Sequence, residues 1–317
     1  MRTITALFVG LGSIGTRHLK NLTNLCADRG WTLQADALRS DLSRPLRDGV
    51  AALLHAQYTD LADAPAHYDM VFITNPTSLH ADALTRVRGR GGALFIEKPI
   101  FSADQTGLDL ADCLPAGQKA YVAAPMRWCG VMLALKDQLP GLHPYCARVI
   151  CSSYLPDWRP GVDYRTVYSA HNAMGGGVTI DLIHEWDYLV ELFGVPEQLY
   201  NFKGTYSDLE IDSDDLSVYI ARYPTLLAEV HLDYFGRGYR RSIELFCHDG
   251  SYLADFGAGT LTLPDGTVQH YEEDVNRRYE REMEYFVDYA LTGSGESCNP
   301  PALALNVLKL TLGENVQ

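Results

Sequence analysis

The stretch Ile4-Thr5-Ala6-Leu7-Phe8-Val9-Gly10-Leu11-Gly12-Ser13-Ile14-Gly15 decides the fold. Its first residues form an apolar run of the kind that makes a buried strand. The glycines then follow GxGxxG spacing, and a helix-like segment runs from Ile14 to about Ala27. In such a turn Gly10 permits the tight reversal, Gly12 lets the backbone approach a pyrophosphate, and Gly15 lets the helix pack close to the strand. The helix opens at Ile14, directly after Ser13, with its positive end toward that phosphate. A ligand-free glycine turn has the same spelling; the strand before it and the helix after it favour a dinucleotide site.

Further along, strand and helix patterns alternate. Apolar runs at Leu33–Leu38, Met70–Thr74, Ala93–Ile96 and Ala120–Ala124 read as buried parallel strands. Helix-like stretches lie near Val50–His55 and at Leu79–Val87 and Gln105–Leu114. This alternation predicts a doubly wound parallel sheet with right-handed crossovers, occupying residues 1–124. Pro125 opens a second part, 125–317, with a different pattern. A helix at Trp128–Leu139 and a long strand at Tyr145–Tyr154 precede Gly175-Gly176-Gly177 and an amphipathic helix, Thr179–Phe193. Strand-like segments then recur from Gln198 to Tyr271, predicting a large, mostly antiparallel open sheet. Two helices, about Arg277–Leu291 and Ala302–Leu310, close the chain. The expected class is α/β with two domains.

The chain has 317 residues and a formal charge of −14. That charge argues against nucleic acid or an anionic membrane as partner. No apolar stretch approaches the roughly 20 residues of a membrane span. The N-terminus runs straight into the first strand, so no signal peptide is expected. Seven scattered cysteines without a CxxC pair read as reduced thiols in a cytoplasmic protein, with no metal site expected.

Three further clusters carry chemistry. Thr74-Asn75-Pro76-Thr77-Ser78-Leu79-His80 ends a strand pattern, at the edge where ligands bind in such sheets. It reads equally as an X-Pro turn and helix cap. Glu97-Lys98-Pro99 follows another strand, so Lys98 points into the cleft, or is a solvated lysine. Asp181, His184 and Tyr188 share one face of the Thr179–Phe193 helix by spacing. A histidine beside carboxylates suits acid–base work, or is a hydrogen-bonded core residue.

Together and in this order, the Gly10–Gly15 loop, Asn75-Pro76 with His80, Glu97-Lys98-Pro99 and the triple glycine before His184 resemble the Gfo/Idh/MocA oxidoreductase family over nearly the whole length. The resemblance implies an N-terminal Rossmann domain for NAD or NADP. It also implies a C-terminal domain that binds substrate and whose open sheet often mediates oligomers, here a homodimer or homotetramer. The implied chemistry is hydride transfer between nicotinamide and a hydroxyl-bearing carbon of a sugar or cyclitol. Lys98 resembles the lysine that holds the reacting hydroxyl, and His184 the acid–base histidine. Cofactor contacts are expected from Gly10, Gly12, Ser13, Ile14, Gly15, Asn75, Pro76, His80, Glu97 and Lys98. One departure concerns the carboxylate that many members place four residues before the histidine. Ile180 stands there; Asp181 is the nearest acid, and Asp187 competes for the role and for substrate contact.

The residues suit the chemistry without the name. Hydride leaves an alcohol carbon as its hydroxyl proton is removed, so the site needs a base and a cation to steady the alkoxide. The end of the second strand sets cofactor choice. If it ends at Leu38, then Arg39, Ser40 and Arg44 face the ribose and NADP is favoured; if at Ala35, Asp36 takes that place and NAD is favoured. The reading leans to NADP. Arg127, Trp158, Arg159, Tyr164 and Arg165 combine a stacking face with cations, as an anionic sugar, a sugar acid or a nucleotide sugar would need. Alternatively, Asp157 and Asp163 hold these arginines in an ordered surface loop. A net non-redox conversion on a retained cofactor, and a non-catalytic cofactor-sensing regulator, are the competing functions. Retention of Lys98 and His184 argues against the regulator.

Overall fold

The structure, a computed structural model, describes residues 2–47 and 49–316. The chain forms two compact units. One comprises the chain up to Ala124 together with Tyr279–Leu305; the other comprises Pro125–Arg278 and the chain from Asn306 onward.

In the first unit β1 (Thr3–Val9), α1 (Ser13–Asp28), β2 (Thr32–Leu38), β3 (Ala56–Tyr58), β4 (Tyr68–Ile73), α2 (His80–Arg86), β5 (Gly91–Ile96), α3 (Leu110–Cys113) and β6 (Lys119–Val122) follow in order. The strands make one sheet, ordered β3-β2-β1-β4-β5-β6, and every pair is parallel. Strand order reverses beside β1, so the glycine turn leaves the sheet at its switch point. β1, β4 and β5 bury side chains on both faces, which is why they read as continuous apolar runs.

Three local expectations change. The segment near 50–55 holds only a 3-10 turn, Ala51–Leu53, and β3 forms where no strand was expected. The helix expected over Gln105–Leu114 shrinks to α3, because Gly107 interrupts it and Asp109 caps a new start by accepting from Ala111 N. The second domain does not run unbroken to 317. Met283, Phe286, Val287 and Tyr289 pack in the same core as Ile4, Phe8, Phe72 and Phe95, so this late helix covers the first sheet. Its periodicity announced a helix but not which sheet it would cover.

In the second unit α4 (Gly130–Gln138), β7 (Cys146–Tyr154), α5 (Val178–Asp181), α6 (His184–Phe193), β8 (Gln198–Gly204), β9 (Leu216–Arg222), β10 (Leu227–Asp233), β11 (Phe235–Cys247), β12 (Gly250–Asp255), β13 (Thr260–Thr262) and β14 (Val268–His270) are followed by α7 (Val275–Thr292) and α8 (Pro301–Thr311), each shared between the units. The eight-stranded sheet has the order β14-β13-β12-β11-β7-β10-β9-β8, antiparallel except where β7 meets β10. Its strands alternate buried and open positions. Ala147, Val149, Cys151, Tyr219, Val230, Leu232, Ile243 and Leu245 face inward, and Trp186 of α6 meets Tyr219 ring to ring at 5.2 Å. On the alternate positions Tyr200, Phe202 and Ile220 are exposed, beside an Arg148–Glu229 ion pair of 3.0 Å. The helix expected as one piece over Thr179–Phe193 is two, α5 and α6, broken at Leu182-Ile183. Among the described residues no helix is long and apolar enough to cross a membrane.

Candidate active site

The glycine turn of the first unit has three different surroundings. Gly10 adopts φ +89°, and a Cβ there would lie 2.8 Å from Asn75 Cα. A Cβ on Gly15 would lie 2.7 Å from both Gly10 O and Thr74 Oγ1, so the start of α1 lies against the end of β4. Thr74 secures this seam by donating to Gly10 O at 2.6 Å. Gly12 is the opposite case: nothing lies within 4 Å of its missing side chain. It precedes α1, whose N-terminus carries no side-chain cap and no acidic residue in the first turn. Open space over Gly12 and uncapped N–H groups at Ser13, Ile14 and Gly15 are what a pyrophosphate requires. Asn75 Oδ1, on the facing strand end, is buried without a partner. The residues present therefore fit a dinucleotide.

β2 ends at Leu38. Asp36 is buried, accepting from Tyr68 Oη at 2.8 Å and pairing with His55 Nδ1 at 3.1 Å, so it serves the sheet interior. Arg39 and Ser40 follow the strand directly. Arg39 donates to Gln57 Oε1 at 2.8 Å and to the Arg44 carbonyl, which holds its guanidinium at the strand edge.

Two expected cofactor contacts have other work. His80 is fully buried, with Nδ1 3.1 Å from Ile100 O and Nε2 3.1 Å from Asn75 O. Burial pushes its pKa down, so it carries one proton for two carbonyls and staples the Asn75 turn to the loop after β5. Glu97 is buried as well, and both its oxygens are engaged, with His18 Nε2 at 2.5 Å and with Lys98 N at 3.0 Å. Pro76 lies exposed beside Asn75. Lys98, at the C-terminal edge of β5, is half-buried, and its ammonium makes no ion pair or hydrogen bond among the described residues.

In the second unit, the triple glycine lets the chain pass two obstacles. A Cβ on Gly176 would lie 2.1 Å from Tyr168 O, and Gly177 adopts φ +127° beside Asp214. Asp214 then caps α5, accepting from Thr179 N at 2.9 Å. His184 opens α6, half-buried. Asp181, expected to orient it, is instead clasped by two tyrosines: Tyr168 Oη donates to Oδ1 at 2.7 Å and Tyr234 Oη to Oδ2 at 2.6 Å. Burial, then the Asp181 charge, push both tyrosine hydroxyls well above their ordinary range, so they remain donors. The break after Asp181 follows from separate anchors. Asp181 belongs to the tyrosines, whereas Glu185, fully buried, takes a two-pronged contact from Arg241, 2.6 Å and 3.0 Å.

Arg127 and Asp187, both expected at the substrate, meet each other. Arg127 is 3% exposed and donates through Nε and Nη2 to the two Asp187 oxygens, at 2.9 Å and 2.8 Å. Its Nη1 donates to Glu191 at 2.6 Å, and Lys136 pairs with Glu191 from outside. This network fastens α6 to the turn after Pro125. The aromatic–arginine loop divides. Arg165 pairs with Asp163 and Glu210, at 2.9 Å and 2.7 Å, and Tyr164 Oη accepts from Glu210 N. These two residues order the loop, as the alternative reading had it. Trp158 and Arg159 remain available. Trp158 donates to Ser153 Oγ at 3.1 Å and stands edge-on to Tyr234, with 37% of its surface open. Arg159 lies over the Tyr168 ring, 5.6 Å from its centre, and has no carboxylate partner among the described residues.

The sequence reading missed His18, Tyr168 and Tyr234. Only His18 left a trace, as a polar residue beside Leu19 and Leu22 on the buried stripe of α1.

Residues 4–122 match the family described as an oxidoreductase family with an NAD-binding Rossmann fold. No curated protein matches the sequence. Solved structures do match in shape. An oxidoreductase from Agrobacterium radiobacter, in complex with NAD+, L-tartaric acid and magnesium, gives a TM-score of 0.79 at 17% identity, over 98% of this chain and 95% of that one. A levoglucosan dehydrogenase in complex with NADH and levoglucosan gives 0.82 at 14% identity, over 98% and 96%. The WlbA dehydrogenase from Bordetella pertussis, in complex with NADH and UDP-GlcNAcA, gives 0.74 at 19% identity, over 98% and 95%. At these identities the likeness establishes the fold. The family match falls on the segment that builds the phosphate cradle: residues 4–122 match the model of an oxidoreductase family with an NAD-binding Rossmann fold.

Proposed function

We propose that this protein is an NAD(P)-dependent dehydrogenase or reductase acting on a hydroxyl-bearing carbon of a sugar, sugar acid or nucleotide sugar. The observation that carries the reading is Lys98. It is a half-buried ammonium with no internal partner, at the C-terminal edge of a parallel strand in an NAD-binding segment. The bound nicotinamide supplies the hydride acceptor or donor. Lys98 holds the reacting oxygen and steadies the alkoxide that develops on it. His184 receives the hydroxyl proton in oxidation and returns it in reduction. Asp181 holds Tyr168 in place, and the Tyr168 ring carries Arg159. Arg159 and Trp158 then offer a cation and an aromatic face to an anionic sugar ring.

NADP is the favoured cofactor. β2 runs to Leu38 and Asp36 is spent inside the sheet, so Arg39 and Ser40, with Arg44 nearby, are the groups at the strand end. The dehydrogenases of similar shape crystallised with levoglucosan or UDP-GlcNAcA support a carbohydrate substrate. The exposed apolar positions on the eight-stranded sheet, Tyr200, Phe202 and Ile220, support a homodimer or homotetramer formed on that face.

The test is a panel of sugars, sugar acids and nucleotide sugars with either cofactor, followed by nicotinamide absorbance. With the substrate found, Lys98→Met abolishes turnover while cofactor affinity and melting temperature stay unchanged. His184→Asn lowers the rate by roughly 10²–10⁴-fold. Full activity in either variant removes that residue from the mechanism.

A further inference from the structure

We propose that His18 is a positioning residue for Lys98, acting through the Glu97 carboxylate. The inference rests on the reading of Lys98 given above. His18 is fully buried on α1, packed against Phe95 with ring centres 4.6 Å apart. Its Nε2 donates to Glu97 Oε1 at 2.5 Å, while its Nδ1 is buried without a partner. The other Glu97 oxygen accepts from the backbone N–H of Lys98 at 3.0 Å. A single buried carboxylate thus bridges a histidine on the cofactor-binding helix and the main chain of the residue that carries the ammonium.

An apolar pair of similar volume would fill this space at less desolvation cost, so stability alone does not call for a buried histidine and carboxylate. What the pair adds is direction. Glu97 cannot turn without losing one of its two donors, so the Lys98 peptide is held where its side chain begins. His18 lies five residues beyond Ser13, about 7.5 Å along the helix from the phosphate turn. The helix that receives the pyrophosphate and the lysine that meets the substrate are therefore one framework.

The test uses His18→Leu, which keeps the bulk and removes the donor, and His18→Gln, which restores an N–H. Cofactor affinity is measured by calorimetry, kcat and KM on the substrate found, and the reactivity of the Lys98 amine by competitive labelling across pH with peptide mass spectrometry. His18→Leu is expected to leave cofactor affinity unchanged and to lower kcat by ~100-fold, the penalty of a displaced catalytic group. It also moves the labelling midpoint of Lys98 to lower pH. The ionisable groups facing Glu97 are His18 from α1, Lys98 beside it and His80 from α2. Without its donor the buried Glu97 takes up a proton more readily and ceases to favour the ammonium. His18→Gln recovers most of both effects. A folded His18→Leu protein with wild-type kcat and wild-type labelling overturns the proposal. Should His18→Leu fail to fold, Glu97→Gln carries the test: it keeps an acceptor for the Lys98 N–H, loses the charge, and is expected to show the same two changes. Lys98→Met is run alongside. If it retains turnover, the catalytic reading of Lys98 fails, while the labelling shift still decides whether His18 governs the lysine.

Discussion

The phosphate turn of the first unit and the carboxylate anchors of the second reach a defined geometry by opposite means. The turn is made of absences. Gly10, Gly12 and Gly15 work because a Cβ would strike Asn75, occupy open space or strike Thr74, and the three lie within six residues. The anchors are made of partners. Asp187 is held by Arg127, Glu185 by Arg241 and Asp181 by Tyr168 and Tyr234, with separations of 60, 56, 13 and 53 residues. A local device of this kind gives the same geometry wherever its spacing occurs. A distributed one exists only after the sheet and helices have assembled, and it fails by leaving a buried charge alone.

The largest effect is expected from breaking the distributed device. Arg127→Met takes the guanidinium from Asp187 and leaves Glu191 with Lys136, and destabilises the second unit by about 3–5 kcal/mol, the usual penalty for one half of a buried pair. Denaturant titration followed by tryptophan fluorescence reads this well, because Trp128, Trp158 and Trp186 all lie in that unit. A loss below about 1 kcal/mol, the value of an exposed pair, would mean that the network contributes little to stability.

The local device breaks without harm to the fold. Gly12 has an extended backbone, φ −71° and ψ −162°, and open space around it. Gly12→Val is therefore expected to leave the melting temperature unchanged and to weaken cofactor binding on the order of a hundredfold, by blocking approach of the pyrophosphate. Gly15→Ala sharpens the contrast, since its Cβ would press on Gly10 O and Thr74 Oγ1 and lower stability instead. Calorimetry and thermal melts of the two variants separate these outcomes; equal cofactor affinity in Gly12→Val and wild type would sink the assignment of the cradle.

The smallest effect tests the strand end. Arg39→Ala is expected to weaken NADP roughly tenfold, the value of one charge-assisted hydrogen bond, and to leave NAD unaffected. Tighter binding of NAD than NADP by the unaltered protein would instead show that another group reads the ribose.

The same contrast explains which site residues could be read early. Ser13 and Lys98 each stand at the border of an element whose pattern is plain, so their placement followed from the elements, whereas His184 was read inside one helix and opens a second. Arg127, Asp187 and Glu97 were equally visible as charged residues near those borders, but their partners were not. A free arginine and an arginine locked to Asp187 have the same local sequence. Asp36 illustrates the margin: two residues from the end of β2 it faces Tyr68 and His55, whereas at the end it would have faced the ribose.

By itself the sequence determined the parallel sheet, the glycine turn and the open antiparallel sheet, because those depend on apolar periodicity and on spacing within one element. Tertiary structure alone decided that α7 covers the first sheet, that the helix carrying His184 breaks after Asp181, and that Asp181 belongs to two tyrosines. Such outcomes depend on which buried donor meets which buried acceptor across long separations. That pairing is set by the need to satisfy every desolvated polar group at once, and no window of local sequence contains it.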